Sequence, residues 1–349
     1  MAPLTSEGPH SVGIRHVTRE LAVYYPTLIK PIEGEPWLPG NDARYIHAIA
    51  KKAGVRSMWL KHLRLVRIPC TRNASIVSLM THKGEPRQVF LMSHTTRTHH
   101  LAYSRLALAL AARGAIVYSV LHSDSVDISG LENVSGTAAA AAGEDPAHAR
   151  LLVQERCSVQ LAKRLEDVSL VIGGISRGEL LQKLQVRSAD LKVFFAGGPK
   201  VHLIGHGFGA VTMLAAALKA ETASSFIGSV TALDAWPLTM LEEVTRGPLS
   251  IPSHINVQLV DSEEWYQRRE HCVQLEALKE LLTSAGVLCI HRMHGETDHM
   301  SVTDMGLLTP LTKRKRFASK KSSAFIPFVA KEIMEFAEGW DNDVVAALV

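Results

Sequence analysis

Short apolar runs rich in β-branched residues recur along the chain, separated by segments long enough to form helices. Such runs are typical of buried strands. The predicted strands are residues 88–92, 115–121, 200–204, 229–233, 256–260 and 287–291. The predicted helices are residues 101–113, 148–172, 208–220, 273–285 and 324–338. Because strands alternate with helices, we predict an α/β fold with a mostly parallel central sheet and helices on both faces.

Two segments interrupt this alternation within what we interpret as a single domain, residues 1–349. Residues 130–146 contain an alanine run flanked by glycines and show no periodicity, which predicts a flexible insertion or lid. Residues 312–322 form a basic loop. Its charged residues are Lys313, Arg314, Lys315, Arg316, Lys320 and Lys321.

The basic loop leaves two interpretations open. One is a solvated surface loop. The other is a contact with a phospholipid or membrane surface, or with a protein or RNA-containing assembly. The net charge of +4 is too small to indicate a nucleic-acid partner by itself.

Composition narrows the class and the compartment. An apolar fraction of 46% with 21% charged residues is that of a globular protein with a substantial core. The N-terminus has no signal-peptide pattern, and we find no apolar run long enough to span a membrane. Four widely spaced cysteines are typical of reduced thiols, not of disulfides or a zinc site. We predict an intracellular protein, with the cytoplasm favoured over mitochondria. We also predict that it binds no cofactor and no metal.

The most informative motif is Gly205-His206-Gly207-Phe208-Gly209, directly after a predicted strand and before a predicted helix. This is the context of the G-x-S-x-G nucleophile elbow of α/β-hydrolases. Glycine stands where the serine belongs. Glycine tolerates the positive φ of such a turn, so the fold survives the replacement, whereas nucleophilic chemistry needs a hydroxyl or thiol.

The two partners of a catalytic triad follow in the order nucleophile, acid, histidine. Asp234 ends the next predicted strand, and His299 follows the strand predicted at residues 287–291. His294 is a rival for the histidine. We therefore predict a site made of Gly207 as the vacant nucleophile position, Asp234 as the acid and His299 as the base.

With these motifs, the chain resembles the platelet-activating-factor acetylhydrolase family of the plasma and type II kind. The segment Ala232-Leu233-Asp234-Ala235-Trp236 reproduces the A-L-D-A-W that holds the family's catalytic aspartate. Gly8-Pro9-His10-Ser11-Val12-Gly13 resembles its G-P-Y-S-V-G opening, and the elbow differs from its G-H-S-F-G only at Gly207. The resemblance implies calcium-independent cleavage of short sn-2 acyl groups from platelet-activating factor and oxidised phospholipids.

The resemblance also places the oxyanion hole. Phe208, which follows the nucleophile position, would give one backbone donor, and Thr96 takes the place of the other. The family's S-H-G-L-G loop reads Ser93-His94-Thr95-Thr96-Arg97 here, so both glycines are lost. Loss of the nucleophile together with the loop glycines favours natural erosion of catalysis.

Three functional hypotheses follow. The first is a catalytically inactive member retained as a lipid-binding or scaffold subunit. The second is an active ester hydrolase with a displaced nucleophile, with water held by Asp234 and His299, Ser93, or a threonine at position 95, 96 or 98 as the options. The third is an active esterase in which an engineered glycine replaced a native serine at position 207.

Overall fold

The computed structural model describes residues 8–52, 55–96, 98–123, 146–219, 224–237, 252, 254–308 and 322–339. The predicted insertion, apart from Pro146, and the basic residues 313–321 lie outside the described residues. Their predicted roles therefore stay predictions.

The described residues form the strands β1 Ser11–His16, β2 Leu21–Thr27, β3 Glu35–Pro36, β4 Arg67–Ile68, β5 Thr71–Arg72, β6 Val89–Ser93, β7 Ile116–Val120, β8 Val201–His206, β9 Ile227–Leu233, β10 Asn256–Ser262 and β11 Cys289–His294. Nine of these strands form the central sheet, in the order β11-β10-β9-β8-β6-β7-β2-β1-β5. The run from β11 to β7 in this order is parallel, as is the pair β1 and β5, whereas β2 is antiparallel to both β7 and β1. A separate two-stranded sheet pairs β3 with β4.

Helices cover both faces of this sheet. The α-helices are α1 Ala43–Lys52, α2 Ser104–Ala112, α3 Pro146–Ser176, α4 Glu179–Gln182, α5 Ser188–Ala196, α6 Phe208–Lys219, α7 Glu263–Tyr266, α8 Arg269–Ser284, α9 Met305–Leu308 and α10 Ser322–Ala337. Short 3-10 helices span Pro39–Asn41, Ser57–Leu65, His100–Tyr103 and Ser224–Phe226. The predicted α/β-hydrolase architecture, a mostly parallel sheet between helical layers, is confirmed.

Alternate residues of the central strands feed two separate cores. In β6, Phe90 and Met92 join the core that includes α2 and α10, and Val89 and Leu91 join the core that includes α3, α6 and α8. Both faces of β6 are buried. This is why the central strands are near-continuous apolar runs.

All six predicted strands are present, but four of them end later than the apolar pattern indicates. Ser93, His206, Ser262 and His294 are the last residues of β6, β8, β10 and β11. Apolar patterning missed these residues because their side chains contact other polar groups instead of packing in the apolar core. The antiparallel strands β1 and β2 were not predicted.

The helix predicted at residues 101–113 is also shorter than expected. Its first turn is the 3-10 helix His100–Tyr103, and α2 begins at Ser104. The cause is Asp304, whose carboxylate accepts the backbone N–H groups of Ser104 and Arg105 at 3.0 Å each. A carboxylate at the positive end of a helix fixes where the helix starts.

Candidate active site

Gly207 forms the turn between β8 and α6, with φ of +56°. Its N–H donates to Leu233 O at 2.9 Å, which ties the turn to β9. The neighbouring glycines permit close packing: a Cβ on Gly205 would overlap the backbone of Gly209, and one on Gly209 would overlap Ser93 O. The local geometry is therefore that of a sharp strand-to-helix elbow, whose positive φ glycine adopts without strain.

The acid and the base lie together beside this elbow. His299 Nδ1 is 3.1 Å from Asp234 Oδ2. Ser262 holds the carboxylate from the other side, its N–H donating to Oδ1 at 2.6 Å and its hydroxyl to Oδ2 at 2.8 Å. Trp265 stacks on the His299 ring at 4.4 Å between centroids. Asp234 and His299 are thus held as an oriented acid–base pair.

Burial dominates the electrostatics of the acid. Desolvation raises the pKa of Asp234 to about 6, although the nearby His206 and the hydrogen bonds from Ser262 act in the opposite direction. At pH 7 and above the carboxylate is mainly ionised. It can then orient His299 and stabilise its protonated form, as the acid of a triad does.

The hydroxyl of Thr95 fills the space in which a nucleophile would stand. A Cβ built on Gly207 would overlap Thr95 Oγ1 and would lie 3.2 Å from His299 Cε1. Thr95 is 3% exposed, so its side chain is enclosed there. His299 still faces the elbow. The space for a side chain at position 207 is occupied by Thr95, which belongs to the loop Ser93-His94-Thr95-Thr96-Arg97, here called the oxyanion loop.

The oxyanion loop is held in place by Tyr103. The N–H of Thr95 donates to the Tyr103 hydroxyl oxygen at 3.1 Å, and this oxygen lies 2.6 Å from His206 Nδ1. The Thr95 amide is therefore already engaged. Phe208 is the first residue of α6, where helix geometry leaves the N–H without a partner inside the helix. Thr96 is half-buried next to Thr95, and its role as the second donor stays a prediction.

Within the described residues, His206, Asp234 and His299 have the spacing of a metal site, with ligand atoms within 4.8 Å of one another. His206 Nε2 is 4.0 Å from Asp234 Oδ2. The Asp234–His299 hydrogen bond already accounts for the closest of these contacts. The arrangement is consistent with an acid–base pair beside the ring of a second histidine.

The rival histidine lies elsewhere: His294 Nε2 is 3.0 Å from Glu332 Oε2 on α10. Sequence reasoning did not include Ser262 or Trp265. Ser262 had a usable signal, because it ends the strand next to β9 and carboxyl ends of parallel strands meet at one edge. The filling of the elbow by Thr95 has no such signal.

An elbow at the end of a central parallel strand, with an acid and a histidine from strands further along the chain, defines an α/β-hydrolase. The chain belongs to the platelet-activating factor acetylhydrolase, isoform II family, whose sequence model matches residues 4–336. The expected family is thereby confirmed. No curated protein sequence matches the chain significantly.

Among solved structures, the chain is similar to a ferulic acid esterase from Streptomyces cinnamoneus, at 12% identity and a TM-score of 0.55, covering 95% of this chain and 89% of the esterase. A carboxylesterase from Mesorhizobium loti is also similar, at 13% identity and a TM-score of 0.37, covering 60% of this chain and 82% of the other. The first likeness supports the fold alone. No helix among the described residues is both long and apolar enough to cross a membrane.

Proposed function

We propose that the centre formed by Gly207, Asp234 and His299, which we call the inherited centre, no longer hydrolyses esters. We further propose that the protein is retained as a lipid-binding or scaffold subunit. The observation that carries the proposal is the filled elbow. Gly207 has no nucleophilic atom, and the hydroxyl of Thr95 lies where a side chain at position 207 would be. If the space at position 207 were empty, the missing nucleophile would be the one change that prevents catalysis. Because Thr95 fills that space, it is a second change.

The remaining groups are a poor catalyst by themselves. Asp234 and His299 can polarise a water, but covalent catalysis through the elbow requires a nucleophile on the turn. Loss of a triad member leaves roughly 10³ to 10⁴-fold acceleration over water when the oxyanion hole is intact. In this chain both glycines of the oxyanion loop are replaced, and loss of one oxyanion donor lowers a rate by ~10² to ~10³.

Lipid binding is supported by a surface that we call the apolar rim: Ile32 and Arg67, which line one cavity, and Leu65, two residues before Arg67. Ile32 is 95% exposed and Leu65 is 81% exposed. Ile32 and Arg67 line one cavity of about 640 Å³. Exposed apolar side chains beside a cation are suited to a membrane surface with anionic headgroups.

The inactivity of the inherited centre is tested by turnover of a short-acyl phospholipid and of p-nitrophenyl acetate by the wild-type protein and by His299→Ala. We expect equal rates for both proteins, since His299 has no nucleophile to activate. If the wild-type protein turns over either ester and His299→Ala abolishes that turnover, the proposal is wrong.

Membrane binding is tested by co-sedimentation with vesicles of phosphatidylcholine containing phosphatidylserine. We expect Ile32→Ser with Leu65→Ser to lower binding. The matched control is Leu170→Ser with Val193→Ser, which removes exposed apolar side chains from α3 and α5. If both pairs of substitutions lower vesicle binding equally, binding is not specific to the apolar rim and the proposal is contradicted. Deletion of residues 313–321 in the same assay tests the basic loop as a lipid contact.

A further inference from the structure

A second serine, histidine and aspartate are hydrogen-bonded in series next to the inherited centre. Ser93 Oγ is 2.8 Å from His122 Nε2, and His122 Nδ1 is 2.8 Å from Asp167 Oδ2. An ionised carboxylate only accepts, so the ring proton is on Nδ1 and Nε2 accepts the serine proton. This is the order of contacts in a nucleophile–base–acid triad.

Three elements bring these residues together. Ser93 ends β6, His122 follows β7, and Asp167 lies on α3. Ser93 and His122 lie two and four residues beyond Leu91 and Tyr118, whose side chains enter the core that contains α3. Since side chains alternate along a strand, Leu91 and Ser93 face α3, and the hydrogen bond to Asp167 shows that His122 does so too. Ser93 begins the oxyanion loop, but none of the three residues is the vacant nucleophile position, the acid or the base of the inherited centre.

Two neighbouring residues act on this centre: His94 positions it, and Arg164 places a positive charge beside it. His94 Nε2 accepts the N–H of His122 at 3.1 Å, which positions the backbone of the base. Arg164 lies one helical turn before Asp167 and donates to His94 O at 2.7 Å. Burial, followed by the charge of Arg164, lowers the pKa of His122 well below its usual value. The base is therefore neutral at pH 7, and a buried cation lies beside it.

We propose that Ser93, His122 and Asp167 form a second nucleophilic centre, whose substrates are small activated esters. Ser93 is 3% and His122 is 1% exposed, whereas the side chain of Asp167 is 40% exposed. A covered serine of this kind is compatible with a short acyl or phosphonyl group and not with a long lipid chain. The inference goes beyond the proposed function, which concerns Gly207 and His299.

The chemistry is that of acyl transfer. Ser93 Oγ bonds to the carbonyl carbon while its proton passes to His122 Nε2. The ester C–O bond then breaks, and His122 returns the proton to the leaving alkoxide. Water reverses the sequence: it loses a proton to His122, attacks the acyl group and releases the carboxylic acid, and Ser93 regains its proton.

The chain contains a matched control for this centre. Ser229 Oγ lies 2.9 Å from His202 Nδ1, and both residues are buried. The charge that acts on His202 is the ammonium of Lys200, not a carboxylate. The pair therefore has the serine and the histidine without the acid. It should not react as Ser93 does.

The test is covalent labelling of the full-length protein by diisopropyl fluorophosphate, followed by intact mass and peptide mapping. We expect one diisopropylphosphoryl group on Ser93, equal labelling of Ser229→Ala, and no such label in Ser93→Ala. General-base catalysis contributes about 10² to 10⁴-fold, so His122→Gln should slow labelling by at least about 10². Far-ultraviolet circular dichroism checks that the variants are folded.

Peptide mapping of the wild-type protein makes the test independent of whether a variant folds. A wild-type protein that takes no label while a serine hydrolase in the same tube is labelled would overturn the proposal. Labelling at any residue other than Ser93 would also overturn it. Neither result affects the proposal for the inherited centre, which depends on the turnover difference between the wild-type protein and His299→Ala.

Discussion

The inherited centre lies beside the second centre, formed by Ser93, His122 and Asp167, which we call the Ser93 centre. The two differ in their nucleophile and in their exposure. At the inherited centre the base and acid are oriented and His299 faces the elbow, but Gly207 has no nucleophile. At the Ser93 centre all three groups are in hydrogen-bond contact, but Ser93 and His122 are covered. The first centre has space limits and no nucleophile, whereas the second has all three groups and a cover that restricts it to small substrates.

The largest effect is expected from placing a serine at position 207, where the family has its nucleophile. Gly207→Ser alone should not restore activity, because its Cβ would overlap Thr95 Oγ1. Thr95→Gly combined with Gly207→Ser removes the overlap and returns a glycine to the oxyanion loop. We expect this double variant to hydrolyse a short-acyl ester at least about 10³-fold faster than the wild-type protein. The measurement is initial rate in a Ser93→Ala background.

The control for this restoration is a third substitution, His299→Ala, which should remove the gained activity. If Gly207→Ser alone is as active as the double variant, Thr95 does not block the seat. If the double variant is folded but inactive, a further part of the inherited centre has been lost.

The second prediction concerns the acid of the Ser93 centre. Asp167→Asn should slow labelling of Ser93 by about 10², because an amide does not hold His122 in the tautomer that accepts the serine proton. The effect is smaller than the full loss of an enclosed acid because Asp167 is 40% exposed and water can replace part of its contact. Labelling rate against pH is the measurement.

Glu166→Gln is the matched control, since Glu166 is exposed on the same turn of α3. It should leave the labelling rate and its pH profile unchanged. Equal slowing by both substitutions would show that only the net charge of α3 matters, and the acid role of Asp167 would then be wrong.

The sequence predicted the parallel part of the sheet and the proximity of Gly207, Asp234 and His299 because both depend on local patterns. The elbow needs only a strand, a turn and a helix in succession, and Asp234 and His299 follow strands whose carboxyl ends meet. The Ser93 centre needs more. Asp167 comes from α3, 45 residues beyond His122, and only the packing of that helix on the sheet decides which of its faces meets β6.

The filled elbow could not be predicted for the same reason. Thr95 was considered as a displaced nucleophile, but its overlap with a Cβ at position 207 is a distance in space between two loops. The polar strand ends Ser93 and Ser262 were also missed, because apolar periodicity stops where a strand leaves the core. Sequence patterns therefore predicted that Gly207, Asp234 and His299 lie together, but not that Thr95 fills the space at position 207.

A third prediction measures how firmly the inherited acid is held. Ser262→Ala removes the hydroxyl that donates to Asp234 Oδ2 at 2.8 Å. Loss of a hydrogen bond to a buried charge should lower the free energy of unfolding by about 1–3 kcal/mol at pH 8. Because the pKa of Asp234 is raised to about 6, the carboxylate is protonated below that pH and the loss should shrink there.

Urea denaturation at pH 8 and at pH 5 measures this difference. The control is Ser119→Ala, which removes a hydroxyl that donates to the neutral carbonyl of His100. Its effect should be the same at both pH values. A pH-independent effect of Ser262→Ala would mean that the hydroxyl does not stabilise an ionised Asp234.

The smallest predicted effect concerns His99, which has no carboxylate partner, unlike the base of either centre. His99 is fully buried against the rings of Trp37 and Tyr45, and neither ring nitrogen has a hydrogen-bond partner among the described residues. Burial lowers its pKa from 6.5 to about 3. The unfolded chain therefore binds a proton that the folded protein excludes, and stability falls as the pH drops below 6.5.

His99→Phe should raise the free energy of unfolding by about 1 kcal/mol at pH 7, because two unsatisfied nitrogens leave the core. The gain should grow as the pH falls from 6.5 towards 5, since phenylalanine binds no proton in either state. Urea denaturation across this range measures it, with exposed His47→Ala on α1 as the control. A gain that stays constant with pH would show that His99 is protonated in the folded protein, and that a buried histidine here needs no carboxylate to hold its charge.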